Sequence, residues 1–270
     1  MGTSQMLDRP EGRIAYEVHG TGAPLVVFVP GMGDLRSTFA GLAARLATDG
    51  FRVALLDLRG HGDSDTTFTR YDDVAAGEDA LALVEELGGP AVLVGSSLGA
   101  GAAAWAAAER PDLVAGLGLI GPFVRDGEPR RLQMLAFRAM LARPWGPRAW
   151  AWWFARLHVT QPAGLDERLA EVRASLARPG RWRAFAATTR TSHAPVEARL
   201  GEVRAPTLVV MGEADPDWPD PAAEARAIAG LIADSTVVTV PGAGHYPHVE
   251  RPEIVEPRLA DFVAAAFARA

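Results

Sequence analysis

Val92-Leu93-Val94-Gly95-Ser96-Ser97-Leu98-Gly99-Ala100 passes from three apolar β-formers through a G-x-S-x-G turn into an alanine-rich run that ends at Ala108. That order predicts a buried strand, one sharp turn and a helix. Ser97 at such a turn is expected in a strained backbone conformation that lifts its hydroxyl above the sheet edge. Gly95 and Gly99 are needed because a side chain at either would collide with the neighbouring strand or helix. The turn also sets the N–H groups of a helix N-terminus beside the hydroxyl, where negative charge is favoured. Ser97 is therefore read as a nucleophile.

The same strand-and-helix rhythm extends on both sides of this stretch. Arg13 to His19 reads as an edge strand, and Leu25 to Val29, Arg52 to Leu56 and Val114 to Ile120 as buried strands. Ser37 to Ala47 and Asp72 to Leu87 have helical spacing, the second stopped by Gly88-Gly89. The last third repeats the pattern: strand Thr207 to Met211, helix Pro221 to Leu231, strand Thr236 to Val240, helix Ile254 to Phe267. Such alternation predicts an α/β fold, a mostly parallel sheet covered by helices on both faces. Between Phe123 and Arg204 the rhythm stops. This segment holds five of the seven Trp, no convincing strand, and 15 Arg against 7 Asp and Glu. Its balance of +8, in a chain of net charge −6, leaves −14 for the rest. The expected organisation is a core of residues 1–122 and 205–270 with a helical cap, residues 123–204, inserted over the carboxyl edge of the sheet.

Composition narrows the function classes. At 270 residues, 49% apolar and 22% charged, the chain suits one large globular unit with an insertion. The net negative charge argues against a nucleic-acid partner. The absence of Cys removes disulfides, thiol catalysis and thiolate metal sites. Met1 to Gly12 lacks the apolar segment of a secretory signal, and no apolar run reaches the ~18 residues of a membrane span. A cytoplasmic location is the expectation. No Gly-rich phosphate loop, H-E-x-x-H or EF-hand pattern occurs, so neither cofactor nor metal is implied.

A serine hydroxyl needs a positioned base, and the base needs an acid to orient it. His245 follows the strand Thr236 to Val240 in Pro241-Gly242-Ala243-Gly244-His245-Tyr246-Pro247-His248, at the sheet edge where sites form, and is the expected base. His248 is its rival. His61 lies in a Gly-flanked loop, and His19, His158 and His193 read as surface or packing residues. Asp215, after the strand Thr207 to Met211, is the expected acid, with Asp217 and Glu213 as competitors. Two backbone donors are needed for an oxyanion. They are expected from Leu98 and from Met32, the latter in the loop Pro30-Gly31-Met32-Gly33-Asp34. The Met32 side chain, with Trp145, Trp150 and Trp153, is expected to line the substrate pocket.

Taken together, these residues resemble the α/β-hydrolase superfamily over essentially the whole chain. The order Ser97, Asp215, His245 is that superfamily's order. Asp57-Leu58-Arg59-Gly60-His61-Gly62-Asp63-Ser64 is similar to its D-x-R-G-x-G-x-S loop, in which Asp57 and Arg59 are read as structural. Gly244-His245-Tyr246-Pro247 and Glu250-Arg251-Pro252 are similar to its C-terminal G-H-x-x…E-x-P segment. Pro30 departs from the His that many members place before the oxyanion-loop glycine. Members that open epoxides or displace halide use a carboxylate where this chain has Ser97. The resemblance therefore implies a cofactor-independent serine hydrolase that cleaves an ester, lactone or thioester of a small apolar acyl substrate through an acyl-enzyme at Ser97. C–C bond hydrolysis, perhydrolysis, a cyclase or lyase step, and a slow-turnover receptor are the alternatives on the same scaffold.

Overall fold

The computed structural model describes residues 4–126, 135, 137, 139–142 and 144–269. Eight strands form one sheet: β1 Gln5–Arg9, β2 Gly12–His19, β3 Leu25–Val29, β4 Arg52–Leu56, β5 Ala91–Ser96, β6 Val114–Ile120, β7 Thr207–Gly212 and β8 Ser235–Val240. Their spatial order is β1-β2-β4-β3-β5-β6-β7-β8. The first two strands pair antiparallel, and every pairing from β4 to β8 is parallel. The expected edge strand, Arg13 to His19, is second from the edge. The edge is β1, which folds back onto β2. It escapes a reading by hydrophobic pattern because Leu7 is its one buried residue, so its place is held mainly by backbone hydrogen bonds.

The central strands β3 and β5 are buried along their whole length, and their alternation divides the core in two. Val27, Val29 and Leu93 face α2 (Asp73–Glu86) and α3 (Leu98–Glu109). Val26, Phe28, Val92 and Val94 face the opposite layer, which contains α1 (Ala40–Thr48). Helix α2 starts where its sequence says it should, with the Asp72 carboxylate accepting from the Ala75 N–H at 2.8 Å.

Between β6 and β7 the described residues include the helices α4 Gly146–Arg156, α5 Leu165–Ala177, α6 Arg181–Thr188 and α7 Ala194–Glu197. Residues 127–134, 136, 138 and 143 of the expected cap lie outside the described residues; the remainder contains no strand. These helices share a core of their own, built on Trp150, Phe154, Val172, Trp182 and Phe185, into which Tyr246 of the sheet-bearing part inserts. Their arginines reach down to core acids and carbonyls. Arg168 pairs with buried Asp34 at 2.6 Å, Arg178 with Asp63 at 3.1 Å, and Arg181 bonds the carbonyls of His61 and Ser64. Helices α8 (Pro221–Ala229), α9 (Pro247–Glu250) and α10 (Pro252–Arg269) complete the chain. No helix among the described residues is long and apolar enough to cross a membrane.

The tightest packing is where α3 leaves β5. A Cβ on Gly99 would sit inside contact distance of the Val29 and Pro30 carbonyl oxygens, and one on Gly95 would meet the Gly99 backbone. Rigid backbone on both sides leaves no room to relax. Gly99→Ala should therefore lose about 3 kcal/mol or more of stability, lowering Tm by roughly 6–12 °C. Gly41→Ala, on the exposed face of α1 with its nearest neighbour 3.4 Å away, should be neutral or gain up to about 1 kcal/mol. Thermal melts of the two variants check the pair of expectations.

Candidate active site

Ser97 stands between β5 and α3 with φ 55° and ψ −123°. Its N–H donates to the Ile120 carbonyl at 2.9 Å, and its own carbonyl accepts from Ala100 and Phe123. This backbone web holds a non-glycine residue in the left-handed region. The hydroxyl makes no hydrogen bond among the described residues.

His245 sits between β8 and α9, on a loop pinned from two directions. Its N–H donates to the Leu157 carbonyl at 2.9 Å. The Gly244 N–H donates to Glu250 Oε1 at 2.8 Å, while Glu250 Oε2 accepts from the Thr160 N–H. The loop after β7 is tied alongside by Ala214 N–H to Ala243 O at 2.9 Å. That arrangement brings Asp215 Oδ2 to 2.8 Å from His245 Nδ1. Both side chains are buried, His245 lines a cavity together with Ser97, and its Nε2 has no partner among the described residues. Asp217 approaches the same Nδ1 at 3.6 Å, whereas Glu213 is exposed. Burial alone would depress the His245 pKa; the charge and hydrogen bond of Asp215, then the charge of Asp217, overcome it and push the imidazole up to about 9. Burial raises Asp217 to about 6, against the opposing pull of His245.

Met32 and Leu98 stand with Ser97 on the cavity wall. Neither backbone N–H donates to an acceptor among the described residues. The Met32 loop is held despite Pro30. Asp34 N–H closes onto Gly31 O at 3.2 Å, and Gly33 N–H donates to His61 Nε2 at 3.0 Å. His61 Nδ1 donates in turn to the Arg59 carbonyl at 2.8 Å, and burial lowers its pKa and keeps it neutral. Asp57 takes Arg36 and the Asp63 N–H, and Arg59 pairs with buried Asp79 at 2.5 Å, in keeping with their structural reading.

The cavity encloses about 310 Å³, and Trp150, Trp153, Phe123, Leu157 and Tyr246 supply much of its apolar wall. Trp145, expected to line it, is not among the lining residues: it is 55% exposed, and its indole N–H is taken up by Ala139 O just before α4, which holds it at the surface. Trp152 is also exposed, at 57%. His248 is no partner for Ser97. It stacks on Phe39 at 5.0 Å, bonds Thr38 through Nε2, and is driven well below its ordinary pKa by burial. His158 packs flat on Tyr246 at 4.5 Å, and His19 pairs with Glu17. His193, expected at the surface or in packing, instead lines the cavity, with Nδ1 2.6 Å from buried Asp73. No sequence pattern links residues 73 and 193. Asp215, Asp217 and His245 present ligating atoms within 4.8 Å of one another, but a cation there would have to displace the Asp215–His245 hydrogen bond.

The model of the alpha/beta hydrolase family matches residues 26–258. The chain is 32% identical to 2-(acetamidomethylene)succinate hydrolase of Mesorhizobium japonicum, over 94% of its own length and 93% of the relative's. It is 29% identical to the pimeloyl-[acyl-carrier protein] methyl ester esterase of Neisseria meningitidis serogroup B, over 88% and 92%. The solved structure of a thermophilic esterase from Thermogutta terrifontis, malate bound, superposes with a TM-score of 0.81 at 26% identity, covering 98% of this chain and 99% of that one.

The two carboxylates make unequal demands on His245. The imidazolium pair stabilises the fold fully below its ordinary value of 6.5 and loses that contribution as pH rises through about 9. In a ring-proton NMR titration, Asp217→Asn should lower the His245 midpoint, and Asp215→Asn should lower it further. An equal or larger drop from Asp217→Asn would reverse the ranking of the two acids.

Proposed function

Since the chain belongs to the alpha/beta hydrolase family, we propose that it is a cofactor-independent serine hydrolase that cleaves a carboxylic ester, lactone or thioester. The observation that carries this reading is the single cavity shared by Ser97, at φ 55°, and an imidazole held at 2.8 Å by buried Asp215. In the proposed cycle, Ser97 Oγ forms a bond to the acyl carbon while Nε2 of His245 in its neutral form, whose share grows as pH rises toward about 9, takes the hydroxyl proton. The carbonyl oxygen gains the electron pair and is held by the Met32 and Leu98 N–H groups. Collapse breaks the bond to the leaving group, which takes the proton from His245. Water then repeats the sequence on the acyl-enzyme and frees the acid. Nucleophile and base in such sites commonly reach hydrogen-bond distance only with substrate in place.

Two curated relatives support an acyl substrate by their names, a methyl ester esterase and a hydrolase of a substituted succinate. We further propose that residues 123–204 act as the cap that sets acyl preference. Trp150 and Trp153 reach the cavity, whereas Arg168, Arg178 and Arg181 pair with acids and carbonyls of the sheet-bearing part.

Ser97→Ala should keep its fold, lose labelling by a fluorophosphonate and lose several orders of magnitude of p-nitrophenyl ester turnover. His245→Ala should match it, and Asp215→Asn should cost roughly a hundredfold or more. Near-native turnover by Ser97→Ala would overturn the assignment, and labelling of the native chain without turnover would point to a receptor. Across esters of increasing acyl length, Trp153→Ala should shift the preferred length by about ten- to a hundredfold. Trp145→Ala and Trp152→Ala should leave the profile unchanged; a shift from either would place the pocket elsewhere.

A further inference from the structure

The cavity holds a second Asp–His pair. His193 directs Nδ1 to Asp73 Oδ2 at 2.6 Å, a copy of the Asp215–His245 geometry. Asp73, in the first turn of α2, is 1% exposed, and its Oδ1 has no partner among the described residues. The His193 N–H is held by Asp126 Oδ1 at 2.7 Å, and Ser192 Oγ donates to the same carboxylate. The ring is therefore fixed by its backbone and by Nδ1, which leaves Nε2 without a partner among the described residues. Phe123 separates the two imidazoles, with its ring centre 5.7 Å from His245 and 5.9 Å from His193. The proposed cycle uses Ser97 and His245 and gives His193 no task.

A fixed imidazole whose Nε2 has no partner, on a wall it shares with Thr188, Thr189 and Thr191, is costly unless a partner arrives. Buried donors without acceptors lose the hydrogen bonds they had in water. Burial would drive His193 toward neutrality, but the hydrogen bond and charge of Asp73, then the charge of Asp126, raise its pKa. In the imidazolium form that these two carboxylates favour, its Nε2–H is a charge-assisted donor. No Arg lines the cavity among the described residues, and Asp217 is the acid facing it from the Ser97 end.

We infer that His193, positioned by Asp73, is a specificity residue whose Nε2–H donates to a second acceptor oxygen of the substrate, on the acyl chain away from the scissile carbonyl. The substrate class is thus an acyl compound with a carboxylate or carbonyl at its far end. The inference rests on reading the Ser97 cavity as the substrate site. With Nδ1 donating to Asp73, Nε2 donates only from the imidazolium form, so a carboxylate is held more firmly than a neutral carbonyl.

Binding measured calorimetrically to the Ser97→Ala protein tests this without turnover. Monomethyl adipate offers a distal carboxylate, dimethyl adipate a distal carbonyl, and methyl hexanoate neither. The monoester should bind about ten- to a hundredfold more tightly than the hexanoate, with the diester between them. Adding His193→Phe should collapse both ratios, and adding His193→Gln, which keeps a donor, should preserve part of the diester ratio. Should the Phe variant fail to fold, Asp73→Asn is the second handle. It keeps a partner for Nδ1 and removes the charge, so it should erase the preference for monoester over diester. Equal affinities for the three esters, or a uniform loss in the His193 variants, would overturn the inference. Failure of the nucleophile assignment reads out separately, as ester turnover by Ser97→Ala.

Discussion

The close approach of α3 to β3 and β5 governs this molecule. Gly95 and Gly99 let a helix start directly on top of two parallel strands, so the chain must reverse within Ser97 itself. That reversal has three consequences: a left-handed backbone at Ser97, a hydroxyl at the carboxyl end of β5, and a Leu98 N–H beside it with no acceptor among the described residues. Strain of this kind costs on the order of 1–3 kcal/mol and persists only where the surroundings over-determine it. Here the surroundings are two fully buried strands and the backbone bonds that Ser97 makes to Ile120, Ala100 and Phe123.

The loops around Ser97 are held by polar contacts that are themselves buried. Glu250 spans the Gly244 and Thr160 N–H groups and so joins the His245 loop to the segment after α4. Neutral His61 performs a similar service for the Met32 loop by accepting from Gly33. Each polar group is satisfied by a fixed partner, the condition under which a buried network rigidifies a site instead of weakening it.

Electrostatics joins the two parts of the chain. The Arg excess of residues 123–204 meets the acid excess of the remainder through Arg125–Glu224, Arg168–Asp34, Arg178–Asp63 and Arg199–Glu109. The more exposed of these contribute little each. Arg168–Asp34 is different, since both side chains are largely buried and the guanidinium also lies over Tyr246 at 4.8 Å. Burial pulls the Asp34 pKa upward and the Arg168 charge pulls it back. Such a pair specifies where α5 sits more than it adds stability.

Most of the parallel sheet was legible in the sequence, because a strand buried on both faces must be a continuous apolar run and an elbow must carry its glycines. The placement of Ser97, Asp215 and His245 was legible because each follows a parallel strand at the same edge, although β8, before His245, is itself only partly buried. Strand β1 was not, since its pairing rests on backbone groups that every residue possesses. Nor was the sorting of the tryptophans, which depends on which side of α4 faces the sheet-bearing part. The pairing of His193 with Asp73, across 120 positions, arises only when α2 and the turn before α7 meet over Phe123. Local spacing along the chain thus determined the sheet and the chemistry-bearing loops. Contacts between distant segments, which no local pattern encodes, decided what else faces the cavity.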